Sequence, residues 1–214
     1  MIKELKYYYM GRSRKKKYEQ FISLSNPSDN STILDVGVAD KEYSPFDNYL
    51  EKAYPHPGKI TALSIHPLEE FRKRYPLIKE LTYKGGTFPF KDKEFSIVYS
   101  NAVIEHVGEF AQQVEFVREI NRCGSSFYFT TPAREAPVEM HTNYPFIHWL
   151  PKKTFDQFLK SCGKGWATGN YLNLLRKKDI VNIMTEARVK EFKVFTQRMG
   201  HFPFHYAVWG RCPE

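Results

Sequence analysis

The sequence predicts an α/β fold in which a C-terminal antiparallel hairpin closes a mostly parallel sheet. Short apolar runs that end in small or polar residues recur through the first 132 residues, as expected of buried parallel strands. Helical segments alternate with these runs, which favours right-handed βαβ units. Two later apolar segments, residues 189–196 and 204–209, are separated by too few residues for a helical crossover, so they are predicted to be antiparallel.

Each element has its own local signal. Ser44-Pro45 predicts a helix start, because serine caps a helix and proline suits its first position. Apolar residues at helical spacing predict helices elsewhere. The predicted helices are residues 12–24, a segment opened by Ser44-Pro45, residues 67–71 and residues 110–121. The predicted strands before the hairpin are residues 32–36, 59–65, 81–84, 96–100 and 124–130.

Composition is that of a folded protein, with 42% hydrophobic and 26% charged residues, so a disordered chain is excluded. The 214 residues suffice for one domain. We divide this domain into an N-terminal helix and linker (1–30), a core (31–132), a loop-and-helix segment (133–187) and the hairpin (188–214). No apolar run is long enough to span a membrane and Met1–Lys6 lacks a signal-peptide pattern, so a cytoplasmic location is expected.

The three cysteines, Cys123, Cys162 and Cys212, are scattered along the chain. They show no metal-ligand spacing, so we predict no metal site and expect buried or partly buried reduced thiols.

The chain is basic, with a net charge of +8 that is concentrated at Arg12–Lys17. A solvated helix face would explain this run. It would also suit attraction to an anionic membrane surface or binding of a phosphate group. The charge leaves a nucleic-acid partner open as well.

The ends of the predicted strands carry the most specific pattern. The segments Ile33–Gly37, Phe88–Phe95, Ser100–Val107 and Phe129–Pro132 resemble the class I S-adenosylmethionine-dependent methyltransferases of the type 11 methyltransferase-domain group. The resemblance covers residues 31–132. It implies a Rossmann-like sheet of seven strands and S-adenosyl-L-methionine as cofactor. It also implies a set of cofactor-lining residues: Asp35, Gly37, Val38, Ala39, Ser64, Ile65, Gly86 and Asn101.

The sequence departs from that family at three places. The glycine-rich turn is reduced to Gly37, because Ala39 follows where a second glycine is usual. Ser64 replaces the acid that binds the ribose hydroxyls, and Lys84 aligns with the acid that often meets the adenine amino group. A serine accepts a hydrogen bond without charge assistance, whereas lysine only donates. The candidate carboxylates for the role of the missing acids are Asp40, Glu42, Glu69 and Glu70.

A second, narrower resemblance covers Glu139–Pro151, which is similar to small bacterial methyltransferases of polysaccharide biosynthesis. Because residues His141–Pro151 follow the fifth strand, they are predicted to form a substrate loop over the ligand edge. The resemblance favours methylation, on oxygen, of a small-molecule or carbohydrate-linked acceptor. A hydroxyl nucleophile benefits from a general base. The candidate catalytic residues are His106, His141 and His148, although each also suits a structural role in an aromatic loop or a helix start.

Two other functions remain open. An RNA-binding protein or RNA methyltransferase would suit the charge, but Ser100–Val103 lacks the Asn/Asp-Pro-Pro-aromatic run of base-amino methyltransferases, so nucleic acid is the less favoured partner. An inactive methyltransferase-like interaction subunit would explain the missing acids.

Overall fold

The computed structural model describes residues 2–212, with side chains from Tyr7 onward. The helices are α1 (Ile2–Ser25), α2 (Tyr49–Ala53), α3 (Glu69–Arg74), α4 (Phe110–Cys123), α5 (Lys152–Ser161) and α6 (Lys177–Glu186). The strands are β1 (Ile33–Val36), β2 (Ile60–Ser64), β3 (Lys79–Thr82), β4 (Phe95–Asn101), β5 (Gly124–Pro132), β6 (Glu191–Met199) and β7 (Phe202–Arg211).

The seven strands form one sheet in the order β3-β2-β1-β4-β5-β7-β6. The first five strands run parallel, and β7 pairs antiparallel with both β5 and β6. The predicted fold class, a mostly parallel seven-stranded Rossmann-like sheet with a C-terminal antiparallel hairpin, is confirmed. The order reverses direction between β1 and β4, so the clefts at this switch point lie at the carboxyl ends of these strands.

Apolar side chains fill both faces of the sheet. One face packs against α4 and α6 through residues such as Val117 and Ile183. The other face packs against α1, α2 and α3, with Phe21, Leu50 and Phe71 at the centre. Burial on both faces explains why the central strands read as continuous apolar runs.

The two edge strands differ from the core. β3 has four residues with an exposed or half-buried pattern, and β6 is mostly exposed or half-buried along its length. The register of β6 against β7 shifts between Gln197 and Arg198, and a turn at Gly200 with φ 61° joins the two strands.

Several predicted boundaries change. The helix expected at Ser44-Pro45 begins only at Tyr49, because the Asp47 carboxylate accepts the backbone N–H groups of Tyr43 and Ser44 and makes a separate turn. α1 extends ten residues upstream of the predicted start at residue 12. β3 ends at Thr82, two residues before its predicted end at Lys84.

The structure shows how exposed the three cysteines are and how apolar the helices are. Cys123 and Cys212 are buried thiols, whereas Cys162 is exposed, contrary to expectation. Within residues 2–212, no helix has the length and apolar character needed to cross a membrane.

Candidate active site

Three concave regions meet where β1 and β4 end. The sheet cleft is lined by Gly37, Ser64, Ile65, Gly86, His106 and neighbouring residues. The carboxyl pocket is lined by Arg14, Asp35, Val38, Ala39, Glu51, Asn101 and others. The helix pocket lies against α1 and is lined by Tyr9, Arg14, Lys17, Ala102, His141, His205 and others. Gly37 is common to the first two regions and Arg14 to the last two, so the three regions adjoin.

Gly37 forms the turn at the end of β1. Its φ of 93° lies in the left-handed region, and its N–H donates to Leu63 O at 2.8 Å. A Cβ at this position would lie 2.3 Å from Val103 Cγ2. Only glycine therefore lets the β4 loop approach β1 this closely.

The sheet cleft contains Ser64, which stands where the family that the sequence resembles usually has a ribose-binding acid. Ser64 is buried, and its Oγ accepts the N–H of His66 at 3.1 Å, while Ile65 lies at the exposed rim. Lys84 is exposed and is not part of the lining; its neighbour Tyr83 is, together with Gly85 and Gly86. Glu115 on α4 also lines the cleft, with its carboxylate paired with Arg118; sequence reasoning missed this residue because it follows no strand.

The replacement carboxylates proposed from the sequence have structural partners. Asp40 Oδ1 accepts the N–H groups of Glu70 and Phe71 at 2.8 and 3.0 Å and so caps α3. Glu42 accepts the hydroxyl of Tyr75 at 2.6 Å and pairs with Lys52 at 2.8 Å. Glu70 pairs with Lys73 on the surface. These acids hold the loop after β1 and α3 in place.

The carboxyl pocket buries two acids together. Asp35 and Glu51 are both buried and lie against each other, and apart from this contact with Asp35 the oxygens of Glu51 have no side-chain donor among the described residues. Burial and then the neighbouring Glu51 raise the pKa of Asp35 well above its usual value, with Arg14 opposing the shift. Buried carboxyls without donors are costly, so this pocket suits a cationic group.

The remaining residues that the sequence predicts to line the cofactor are fixed by local contacts. The Asn48 side chain accepts the N–H of Ala39 at 3.0 Å and donates to its carbonyl at 2.8 Å. Val38 is buried beside them. Asn101 Oδ1 accepts the hydroxyl of Thr130 at 2.8 Å.

The helix pocket gives the basic run of α1 two different environments. Arg12, Lys15 and Lys16 are exposed, whereas Arg14 lines two of the pockets and Lys17 is only 3% exposed. Lys17 Nζ lies 3.3 Å from Nδ1 of His205, and burial and then Arg14 lower the pKa of Lys17 well below its usual value. A run of basic residues in a sequence does not show which of the side chains point into the protein and which point into solvent.

His106 and His141 meet at the junction of the sheet cleft and the helix pocket. Their Nε2 atoms are 3.1 Å apart. His106 Nδ1 lies 2.8 Å from Tyr171 O, and His141 Nδ1 lies 2.6 Å from Glu139 Oε1. A carbonyl and a carboxylate only accept, so both Nδ1 atoms carry a proton and both Nε2 atoms face the same space, where one proton joins them when either ring is charged.

Glu139 holds His141 in this orientation. Its side chain is completely buried, and it also accepts the N–H and the hydroxyl of Thr142 at 2.6 Å each. Burial raises the pKa of Glu139, but these hydrogen bonds and the His141 charge outweigh it and bring the pKa to about 2. Burial lowers the pKa of His141, but Glu139 outweighs that effect and leaves it raised.

His148 lies apart from the other two candidate histidines. It is buried, its Nε2 donates to Ala136 O at 2.9 Å, and it packs against Trp149 and Phe155. It lines a separate cavity with Arg134 and Leu172, so the fold brings together His106 and His141 but not His148.

Comparison with known proteins agrees with this geometry. Residues 34–126 match the family described as "Methyltransferase domain". No curated protein sequence matches the chain.

Solved structures share the fold at low identity. An S-adenosylmethionine-dependent methyltransferase from Methanosarcina mazei has 16% identity and a TM-score of 0.55, with 88% of this chain and 95% of that chain covered. One from Aquifex aeolicus has 14% identity and a TM-score of 0.55, with 91% and 89% covered. The geranyl diphosphate C-methyltransferase of Streptomyces coelicolor, solved with Mg²⁺, geranyl diphosphate and S-adenosyl-L-homocysteine, has 9% identity and a TM-score of 0.59, with 94% and 80% covered.

Residues 34–126 match the methyltransferase-domain family, and the fold is that of S-adenosylmethionine-dependent methyltransferases of known structure. The buried carboxyls of Asp35 and Glu51 would suit the cationic methionine end of S-adenosyl-L-methionine, and the open space beside Gly86 would leave room for its nucleoside end.

Proposed function

We propose that the enzyme methylates an oxygen atom of a small-molecule or carbohydrate-linked acceptor that binds in the helix pocket. S-adenosyl-L-methionine would supply the methyl group as an electrophile. The observation that carries the proposal is the placement of His141 on the wall of the helix pocket, in contact with His106 on the wall of the sheet cleft. An acceptor in the helix pocket and a cofactor in the sheet cleft would meet at His106 and His141.

The chemistry of the helix pocket supports a hydroxylated acceptor. Tyr9 and Phe204 offer ring surfaces, and Ser13 and His141 offer polar atoms near them. An apolar pocket with a few polar groups orients a ligand and selects for its hydroxyls. Methyl transfer mainly requires that the acceptor oxygen and the methyl group be aligned.

His141 is placed to orient the acceptor hydroxyl. Glu139 fixes the ring, so its Nε2 is aimed at the junction of the pockets. When no proton is shared between the two Nε2 atoms, a lone pair there can accept the hydroxyl proton.

The cations of α1 support an acceptor with a negatively charged part. Arg14 lines the helix pocket, and Arg12, Lys16 and Arg198 line a neighbouring groove. A sugar phosphate or a glycan carrier at an anionic membrane surface has this chemistry. A cytoplasmic enzyme that acts close to such a surface would match both features.

Transfer of a labelled methyl group from S-adenosyl-L-methionine tests the proposal. The acceptor panel contains free sugars, sugar phosphates, nucleotide sugars and RNA. We expect label in a carbohydrate ether and a 10²–10⁴-fold lower kcat for His141→Asn. Binding of S-adenosyl-L-homocysteine, measured by calorimetry, should be unchanged in this variant.

His201→Asn is the matched control, because His201 is exposed in the β6–β7 turn. It should keep the wild-type kcat. Label on RNA, with a steep salt dependence, would support the nucleic-acid alternative instead. Label on carbon, or equal turnover by His141→Asn, would overturn the proposed chemistry.

A further inference from the structure

We infer that Glu105, His106 and His141 form a binding site for a divalent transition-metal ion of the zinc type. The ligand atoms of these three side chains all lie within 4.8 Å of one another. The inference deepens the proposed function, because the ion, in place of the lone pair of His141, would then act on the acceptor hydroxyl at the junction of the sheet cleft and the helix pocket. Its role in turnover rests on that proposal, whereas the binding of the ion does not.

The two imidazoles are arranged as metal ligands. Zinc binds imidazole nitrogen at about 2.0–2.1 Å, so two tetrahedral nitrogen ligands lie about 3.3 Å apart. The Nε2 atoms of His106 and His141 are 3.1 Å apart. Because both Nδ1 atoms face acceptors, both Nε2 atoms face the same space, and a proton or a metal ion between them relieves the repulsion of their lone pairs.

The outer partners of the two rings are also those of a metal site. Metal-bound histidines almost always donate their second N–H to a carboxylate or a backbone carbonyl. Here His106 meets the carbonyl of Tyr171 and His141 meets the carboxylate of Glu139, at 2.8 and 2.6 Å. These contacts fix both tautomers before any ion binds.

Glu105 provides the third ligand and an independent observation. Its side chain is 0% exposed, and Thr131 donates to Oε2 at 2.9 Å. The other oxygen, Oε1, is buried without a hydrogen-bond partner among residues 2–212. A proton shared by the two histidines would leave this oxygen unpaired, whereas a metal ion would satisfy all three groups.

The ligand set indicates the kind of ion. Two imidazoles and one carboxylate with an open position are typical of catalytic zinc, and imidazole is a poor ligand for Mg²⁺. An ion at this junction would lower the pKa of an acceptor hydroxyl that reaches the open position. No spacing in the sequence indicates this site, because the two histidines are 35 residues apart.

Metal titration of the full-length protein, without cofactor or acceptor, tests the site. The protein is first treated with a chelator and dialysed. Zn²⁺ is then titrated in competition with a chromophoric chelator, and Co²⁺ is used as a spectroscopic probe. We expect one tight equivalent of Zn²⁺, visible ligand-field bands with Co²⁺ and no competition by Mg²⁺.

Variants locate the bound ion. Glu105→Gln and His141→Asn should weaken Zn²⁺ binding by at least 100-fold, and Glu139→Gln by 10–100-fold. The control His201→Asn should bind like the wild type. Equal affinity in Glu105→Gln, His141→Asn and the wild type, or no tight equivalent in the wild type, would overturn the inference.

A footprint on the wild-type protein avoids dependence on the folding of any variant. Zn²⁺ should slow carbethoxylation of His106 and His141 but not of His201, as read by peptide mass spectrometry. Equal rates with and without Zn²⁺ would also overturn the site. Loss of metal binding would leave methyl transfer by the imidazole pair possible, and absence of methyl transfer would leave the binding result intact, so the two proposals fail separately.

Discussion

Replacing Gly37 with alanine tests the close approach of β1 to the β4 loop. The new Cβ would lie 2.3 Å from Val103 Cγ2, on a backbone with φ 93°. The left-handed conformation destabilises an L-residue by about 1–2 kcal/mol, and overpacking adds about 1–3 kcal/mol. We expect Gly37→Ala to lower the free energy of unfolding by about 2–5 kcal/mol.

Gly86→Ala is the matched control, because Gly86 has φ 76° and its added Cβ would meet nothing within 4 Å. The free energy of unfolding of Gly86→Ala should fall only by the cost of the left-handed backbone conformation, about 1–2 kcal/mol. Adding Val103→Ala to Gly37→Ala removes the two clashing methyl groups and should recover part of the loss. Urea unfolding followed by circular dichroism measures five proteins: the wild type, Gly37→Ala, Gly86→Ala, Val103→Ala and the double variant Gly37→Ala/Val103→Ala. Equal losses at positions 37 and 86, or no favourable coupling with Val103→Ala, would refute the reasoning.

Two further predictions concern titration and thiol chemistry. Burial holds the pKa of Lys17 well below 10.5, so folding releases a proton wherever the unfolded lysine is charged. The free energy of unfolding should therefore rise with pH relative to Lys17→Met, by at most about 1.4 kcal/mol per pH unit, as the pH approaches the ordinary lysine pKa of about 10.4 from below. Parallel urea-unfolding profiles would contradict this. A disulfide reagent at about pH 8 should modify exposed Cys162 at once. Cys123 and Cys212 should react only on unfolding, because burial raises the pKa of Cys123 to about 11 and that of Cys212 above its usual value. Three equally fast thiols in the native protein would argue against this burial.

The fold was predictable because its signals are local. Apolar runs such as Ile33–Val36 and Ile97–Tyr99 are buried on both sides, so hydrophobicity alone marks them as strands. β3 was displaced by two residues because an exposed edge strand carries no such pattern. Ser44-Pro45 has the composition of a helix start, but Asp47 competes for the same backbone donors.

The site was less predictable because it depends on distant pairings. Gly37 and Asn101 reach the clefts by strand order, which the sequence indicates. The contact between His106 and His141 requires the loop after β5 to fold back over the β4 turn. The inward direction of Arg14 and Lys17 depends on how α1 is rotated against the sheet, and the charge run contains no information about that rotation.

The form of the two edge strands has a consequence for self-association. An exposed edge with free backbone donors and acceptors is a template for another strand. Here one edge, β3, is only four residues long and carries Lys79 and Glu80, and the other, β6, carries Lys193 and the register shift before Arg198. Short length, charge and irregular register all oppose strand addition. The sheet is thereby protected against growing into a continuous intermolecular ribbon, even at the high local concentrations reached during synthesis.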